Sequence, residues 1–219
     1  MNDWREVAGR RFIRFTTNAV VARPRLWRLL RAPVRTQFTR LAPVWDQRRD
    51  AGALAPLEAA LARVDAAPGR ILDVGTGTGV AVRFLATRYP EATVVGVDLV
   101  PAMIEEARRL LPPDLEPQVR FEVADAASLP FQAGAFDLVV LLNMIPFFEE
   151  LARVTAPGGT VVFAFSGGAG TPIYVPPDTL RARLTALGFT GFDEVAAGQG
   201  TAFVARKGGV PSDSTSAAR

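Results

Sequence analysis

Three glycines at alternate positions follow an acid in Ile71-Leu-Asp-Val-Gly-Thr-Gly-Thr-Gly79. A buried strand that breaks into such a turn and feeds a helix brings its backbone N–H groups close to a ligand. The spacing is Gly75-x-Gly77-x-Gly79, with Val80 where a dinucleotide fingerprint needs its third glycine. No Gly-Lys-Ser/Thr ending is present, so the phosphate-loop pattern also fails. Asp73 just before the turn would repel a pyrophosphate and would suit a cationic amino group. Asp98 lies 19 residues past Gly79 and closes the next apolar run. An acid there accepts hydrogen bonds from ribose hydroxyls. Leu99 follows and could line one face of an adenine, and Asp125 after a third run could accept from an exocyclic amino group. The implied ligand has an amino-acid-like end, a ribose and an adenine.

These groups must be positioned by the elements between them. Apolar runs at Arg70–Val74, Thr93–Val97, Val119–Val123, Phe136–Leu141 and Thr160–Phe165 read as strands. They are apolar throughout, as expected where both sheet faces are covered. Helix candidates alternate with them at Val80–Arg88, Pro101–Leu111, Phe147–Thr155 and Pro177–Leu187, and another runs from Pro56 to Val64. This alternation predicts an α/β fold with a doubly wound, mostly parallel sheet. Thr190–Val195 and Thr201–Lys207, joined by a short glycine loop, read as an antiparallel C-terminal hairpin and bring the count to seven strands. Residues 1–50 read as a basic helical lid or arm, 51–207 as the main domain, and 208–219 as a disordered tail. In the arm, Trp4, Ala8, Phe12 and Phe15 recur at helical spacing, and Pro24, Pro33 and Pro43 are expected to divide it into short pieces.

The 219-residue chain contains no cysteine and no histidine. That excludes a Cys/His zinc site, a Ser-His-Asp triad and a histidine base, and no metal is expected. Lys207 is the sole lysine. Residues 1–50 hold twelve arginines against Asp3, Glu6, Asp46 and Asp50, so the modest net charge of +3 conceals a basic arm on an acidic remainder. No run approaches a membrane span and no signal-peptide pattern opens the chain, so a cytoplasmic protein is expected.

The motif set resembles the class I S-adenosylmethionine-dependent methyltransferases. Its pieces are Leu72-Asp-Val-Gly-Thr-Gly-Thr-Gly79, Val95-Gly-Val-Asp98, Ala124-Asp125-Ala126 with Leu129-Pro-Phe131, Phe136-Asp137-Leu-Val-Val140, and Leu151-Ala-Arg-Val154 with Pro157-Gly-Gly159. They match in order and spacing over roughly residues 38–207. The resemblance implies the Rossmann-like methyltransferase fold and S-adenosyl-L-methionine as cofactor. It implies that Gly75, Thr76 and Gly77 approach the methionine part of that cofactor, with Asp73 near its amino group. Asp98 would then bind ribose and Leu99 would flank adenine. Asp125 and Ala126 would read the adenine edge, and Asn143 would lie beside the sulfonium. Phe38-Thr-Arg-Leu-Ala-Pro-Val-Trp-Asp46 resembles an N-terminal element of quinone-type and small-molecule methyltransferases that folds over the cofactor, with Trp45 in the usual tyrosine position. Trp45 and Tyr174 are the candidate substrate contacts. The segment between Asn143 and Leu151 is shorter than in many relatives, which removes a usual contributor to the substrate pocket.

Methyl transfer from a sulfonium needs alignment and exclusion of water more than it needs a base. No catalytic base is assigned, and Asp46 is a weak candidate. The expected function is methylation of a small molecule, with a hydrophobic one among the candidates. Two alternatives remain. One is a lipid or quinone methyltransferase held peripherally at a membrane by its N-terminal arm. The other is a catalytically inactive cofactor-binding module acting through that arm. Nucleic acid ranks last as a partner, because no binding module accompanies the arginines.

Overall fold

The computed structural model describes residues 3–45 and 52–209. Two helices open the chain, α1 (Asp3–Ala22) and α2 (Trp27–Leu41), and α3 (Ala55–Leu61) leads into the sheet. The chain then alternates through β1 (Arg70–Val74), α4 (Val80–Arg88), β2 (Thr93–Asp98), α5 (Pro101–Arg109) and β3 (Val119–Val123). It continues through β4 (Phe136–Leu142), α6 (Phe148–Val154), β5 (Thr155–Phe165) and α7 (Pro177–Thr185), and closes with β6 (Phe189–Ala197) and β7 (Gly200–Lys207). The seven strands lie in the order β3-β2-β1-β4-β5-β7-β6. β1 to β5 are parallel, and β7 runs antiparallel to both β5 and β6. The doubly wound sheet and the reversed terminal hairpin agree with the sequence expectation.

Alternate strand residues feed two cores. Leu72, Val97, Leu141 and Phe163 face one side, with α6 and α7. Ile71, Val94, Val140 and Val162 face the other, with α3 and α4. Both faces are therefore dry, which is why the strands lack polar alternation. The strand order reverses between β1 and β4, so a crevice opens at their carboxyl ends.

The arm differs from expectation at Pro33, and α1 turns inward a stripe other than the apolar one at Trp4, Ala8, Phe12 and Phe15. Its inward stripe on α1 is Ile13, Thr16, Thr17 and Val20, all buried, whereas Ala8 is exposed and Phe15 is 63% exposed. Thr17 can face a core because it returns its hydroxyl to the Ile13 carbonyl at 2.9 Å, so that polar group needs no outside partner, whereas the buried Thr16 hydroxyl makes no hydrogen bond among the described residues. The Trp4 side chain and residues 210–219 lie outside the described residues. Pro33 does not break the chain but sits inside α2. The carbonyl it leaves without a donor belongs to Leu29, a residue that is 75% exposed, so water can take that position.

Gly96 in β2 shows how tightly the sheet packs on α4. A Cβ there would come within 2.8 Å of both Phe121 and Val82. Gly96→Ala should destabilise the fold by about 1–3 kcal/mol through overpacking, and Phe121→Leu should restore part of the loss. Urea denaturation of both variants checks this. Independent, additive losses would show that the two positions do not share that space.

Candidate functional site

At the end of β1 the chain turns through Gly75, Gly77 and Gly79 with φ of 75°, 53° and 81°. L-residues with a Cβ adopt such values only at a cost. Each glycine also leaves room for a particular neighbour. A Cβ on Gly75 would lie 2.5 Å from Met144 Sδ, one on Gly77 would lie 3.4 Å from Trp45 Nε1, and one on Gly79 would lie 2.8 Å from Phe121 Cζ. Gly79 thus serves packing, while Gly75 and Gly77 form a shallow cradle facing Met144 and Trp45.

The N–H groups of this turn are not directed at a ligand, contrary to the first expectation. Gly75 and Thr76 both donate to the Val97 carbonyl, at 2.8 and 2.9 Å. Gly77 donates to Asp98 Oδ2 at 2.9 Å. The turn is locked to the end of β2, which is the arrangement for a ligand bound by shape and carboxylates rather than for a phosphate nest. The Thr76 hydroxyl is buried and makes no hydrogen bond among the described residues, so it remains available to a ligand.

Asp73, Asp98 and Asp125 stand at or just beyond the carboxyl ends of three adjacent strands, β1, β2 and β3. Asp73 is buried. Asp98 accepts from the Val100 N–H at 2.9 Å through Oδ1 as well as from Gly77. It does not cap α5, whose N-cap is Val100. Burial pushes the Asp98 carboxyl above its ordinary value of 3.8, and N–H bonds from Val100, Gly77 and Leu99 offset only part of that rise. By linkage, its contribution to stability is present below 3.8 and is lost as pH rises through the raised value.

Asp125 heads a tight turn in which Ala127 N–H donates to its Oδ1 at 3.0 Å and Ser128 N–H donates to its carbonyl. Its other partners come from α2: Trp27 Nε1 donates to Oδ1 at 2.8 Å, and Arg31 approaches Oδ2 at 3.4 Å. Ala126 is buried beside it, and Leu99 packs on the same core as Trp27 and Met144.

Asn143, after β4, has φ of 54° and is the single non-glycine with positive φ among the described residues. Its amide donates to Ser166 Oγ at 2.9 Å and its carbonyl oxygen accepts from Ser166 N–H at 3.0 Å. Both side-chain groups therefore engage the end of β5, and the left-handed turn carries Met144 back over Gly75. Trp45 packs edge-to-face on Phe38 at 5.3 Å. Tyr174 packs on Phe165 at 5.1 Å, toward β5. The structure thus brings Trp45, Gly75, Gly77, Asp98 and Met144 to one crevice, whereas the Asn143 amide and the Tyr174 ring are engaged by β5. Asp46 lies outside the described residues. Lys207 sits at the opposite end of the sheet, where it donates to the Ala152 and Thr155 carbonyls at 2.6 and 2.8 Å. Among the described residues no group of acids could hold a metal ion.

Sequence reasoning missed Trp27, Arg31 and Met144. Trp27, Leu30, Val34, Phe38 and Leu41 follow a 3-4-4-3 apolar spacing, which marks the inward face of α2. Nothing in the sequence shows where that face docks.

Residues 71–159 match a family model described as a methyltransferase domain. Over 107 residues the chain is 43% identical to malonyl-[acyl-carrier protein] O-methyltransferase of Halorhodospira halophila, covering 46% of this chain and 36% of that one. Over a stretch of the same length it is 46% identical to demethylmenaquinone methyltransferase of Thermus thermophilus, covering 45% and 48%. The chain therefore spans less than half of these curated relatives. Its fold is shared with a SAM-dependent methyltransferase of Aquifex aeolicus, at TM-score 0.61 and 19% identity over 75% of this chain and 96% of that one.

Asn143 provides a direct test of the turn that delivers Met144. Asn143→Ala should lose about 2 kcal/mol or more, because alanine disfavours left-handed backbone and both Ser166 bonds disappear. Asn143→Gly should lose about 1 kcal/mol less, since only the bonds go. Thermal and urea unfolding rank the two. Equal losses would mean that the backbone conformation imposes no constraint.

Proposed function

We propose that this chain, whose residues 71–159 match a methyltransferase-domain model, is a class I S-adenosylmethionine-dependent methyltransferase that methylates a small apolar acceptor. When bound, the cofactor supplies a methyl group on a sulfonium, activated for in-line displacement. The observation that carries this reading is the lock between Gly77 N–H and Asp98 Oδ2 at 2.9 Å. It holds a carboxylate at the lip of a glycine cradle, on the strand-end crevice where ligands bind in open α/β sheets.

Asp73 would take the amino end of the cofactor and the Thr76 hydroxyl would supply a further polar contact. Asp98 would accept from the ribose hydroxyls, Leu99 would flank the adenine, and Asp125 with Ala126 would read its edge. The chain's remaining task is to exclude water and hold the acceptor in line. Trp45 and Met144 border the cradle and suit the first part. For the second, Trp27, Phe147, Ile173, Tyr174 and Met144 belong to one apolar cluster on this side of the sheet, which favours an acceptor with little polar surface. Residues 3–45 act in this reading as a lid over the site.

Titration calorimetry with S-adenosylhomocysteine tests the assignment. Wild-type protein should bind, and Asp98→Ala should bind at least about tenfold more weakly, as expected for lost bonds to a charged acceptor. Ribose hydroxyls donate to the ionised carboxylate, so affinity should fall as pH is lowered through the raised Asp98 value. Unchanged affinity in Asp98→Ala removes Asp98 from the site, and no wild-type binding removes the function.

A second feature favours action at a bilayer surface. Residues 7–45 contain nine arginines and no acid. The outer face of α1 and α2 exposes Val7, Phe15 and Leu29, with Arg11, Arg28 and Arg35 also exposed. Large apolar side chains among arginines suit anionic lipid. No helix among the described residues is long and apolar enough to cross a membrane, so contact would be peripheral. Full-length protein should sediment with phosphatidylglycerol-containing vesicles and not with neutral ones, and Phe15→Ser with Leu29→Ser should reduce this several-fold. Equal sedimentation of the variant excludes the face.

A further inference from the structure

Asp125 is gripped from outside its own loop by α2. Trp27 is 4% exposed and its ring meets Phe147 edge-to-face at 5.3 Å. Its indole N–H donates to Asp125 Oδ1 at 2.8 Å across 98 residues of sequence. A buried tryptophan N–H needs an acceptor, but a backbone carbonyl would have sufficed. Here the acceptor is a strand-end carboxylate in the proposed site.

The two oxygens of Asp125 are treated differently. Oδ1 receives two well-formed bonds, from Trp27 and from Ala127 N–H at 3.0 Å. Oδ2 has one long contact, 3.4 Å to Arg31, whose side chain is 55% exposed. A carboxylate otherwise turns readily about its last torsion. With both donors on one oxygen its plane is fixed, and the second oxygen keeps capacity for another donor. Trp27 and Arg31 are four apart on one face of α2, so one helix both fixes the carboxylate and covers its open oxygen with a displaceable cation.

We propose that Trp27 is a positioning residue for nucleobase recognition. By holding Oδ1, it presents Asp125 Oδ2 to the exocyclic amino group of adenine, so the N-terminal arm takes part in base selection. This rests on the cofactor reading above. The benefit is preorganisation: the carboxylate need not be ordered when ligand arrives.

The test compares S-adenosylhomocysteine with S-inosylhomocysteine, in which oxygen replaces the amino group. Calorimetric affinities are measured for wild type, Trp27→Phe, Asp125→Asn and the double variant. Trp27→Phe keeps an aromatic ring against Phe147 and removes the N–H. It should weaken S-adenosylhomocysteine binding about tenfold while leaving S-inosylhomocysteine binding nearly unchanged, so that the preference between the two falls by that same factor. In the Asp125→Asn background the Trp27 substitution should have no further effect on this preference. Should Trp27→Phe not fold, benzothienylalanine at position 27 keeps the indole shape without the donor and reads the same difference. An equal loss for both ligands would show that Trp27 only packs the arm. Tighter binding by the variant would show that its N–H competes with adenine, and an unchanged preference would show that it does not act through Asp125. Each of these overturns the proposal while leaving the cofactor reading intact. Failure of the wild type to bind either ligand overturns both.

Discussion

The tie between Gly77 N–H and the Asp98 carboxylate closes the ends of β1 and β2 onto each other. Its neighbours, the Gly75 and Thr76 N–H groups, close onto Val97 in the same way. With three successive N–H groups used internally, the turn cannot act as an anion nest, and its recognition properties come from shape and negative charge. The three left-handed glycines satisfy three separate constraints. Gly75 admits Met144 from across the switch point, Gly77 admits Trp45 from the arm, and Gly79 lets α4 approach β3 through Phe121. A side chain at any of the three would disturb a different contact, so the local sequence is more restricted than a strand–helix connection requires.

The crevice itself follows from topology. The sheet order places β4 beside β1 with the crossovers on opposite faces, so the loops after these strands diverge. Asn143 then bends the second loop back toward the first. Its two bonds to Ser166 set the direction of that bend from β5, which makes β5 a support for the site although its own residues lie to one side.

The strands were readable because each is an apolar run buried on both faces, and the carboxylates because they close those runs at regular intervals. The arm was less readable for a physical reason. Thr16 and Thr17 count as polar in any periodicity, yet both are buried, while Phe15 of the apolar stripe stands in solvent. Pro33 looked like a break, yet an exposed helix face tolerates the missing bond. Trp27 posed a different problem. Its spacing shows that it faces inward, but its partner lies 98 residues away, and only the folded sheet brings the two together. Met144 was hidden for a similar reason, since its placement depends on a left-handed backbone at Asn143 that the residue type permits without requiring.

The arm is held with little neutralisation of its charge. Arg10 and Arg14 donate to the carbonyls of residues 169–171, and Arg183 reaches back to the Val21 carbonyl. Arg31 with Asp125, at 3.4 Å and with the arginine side chain 55% exposed, is a weak pair by the usual standard of surface ion pairs. Docking therefore rests on the apolar stripe, the Trp27 bond and arginine–carbonyl bonds, none of which neutralises a positive charge. The remaining charge faces outward from α1 and α2, beside Phe15 and Leu29. Added salt should leave the arm in place on its domain while it screens whatever that outward face attracts. The two roles of the arm, covering the crevice and presenting a basic surface, are thus physically separable even though the same two helices carry both.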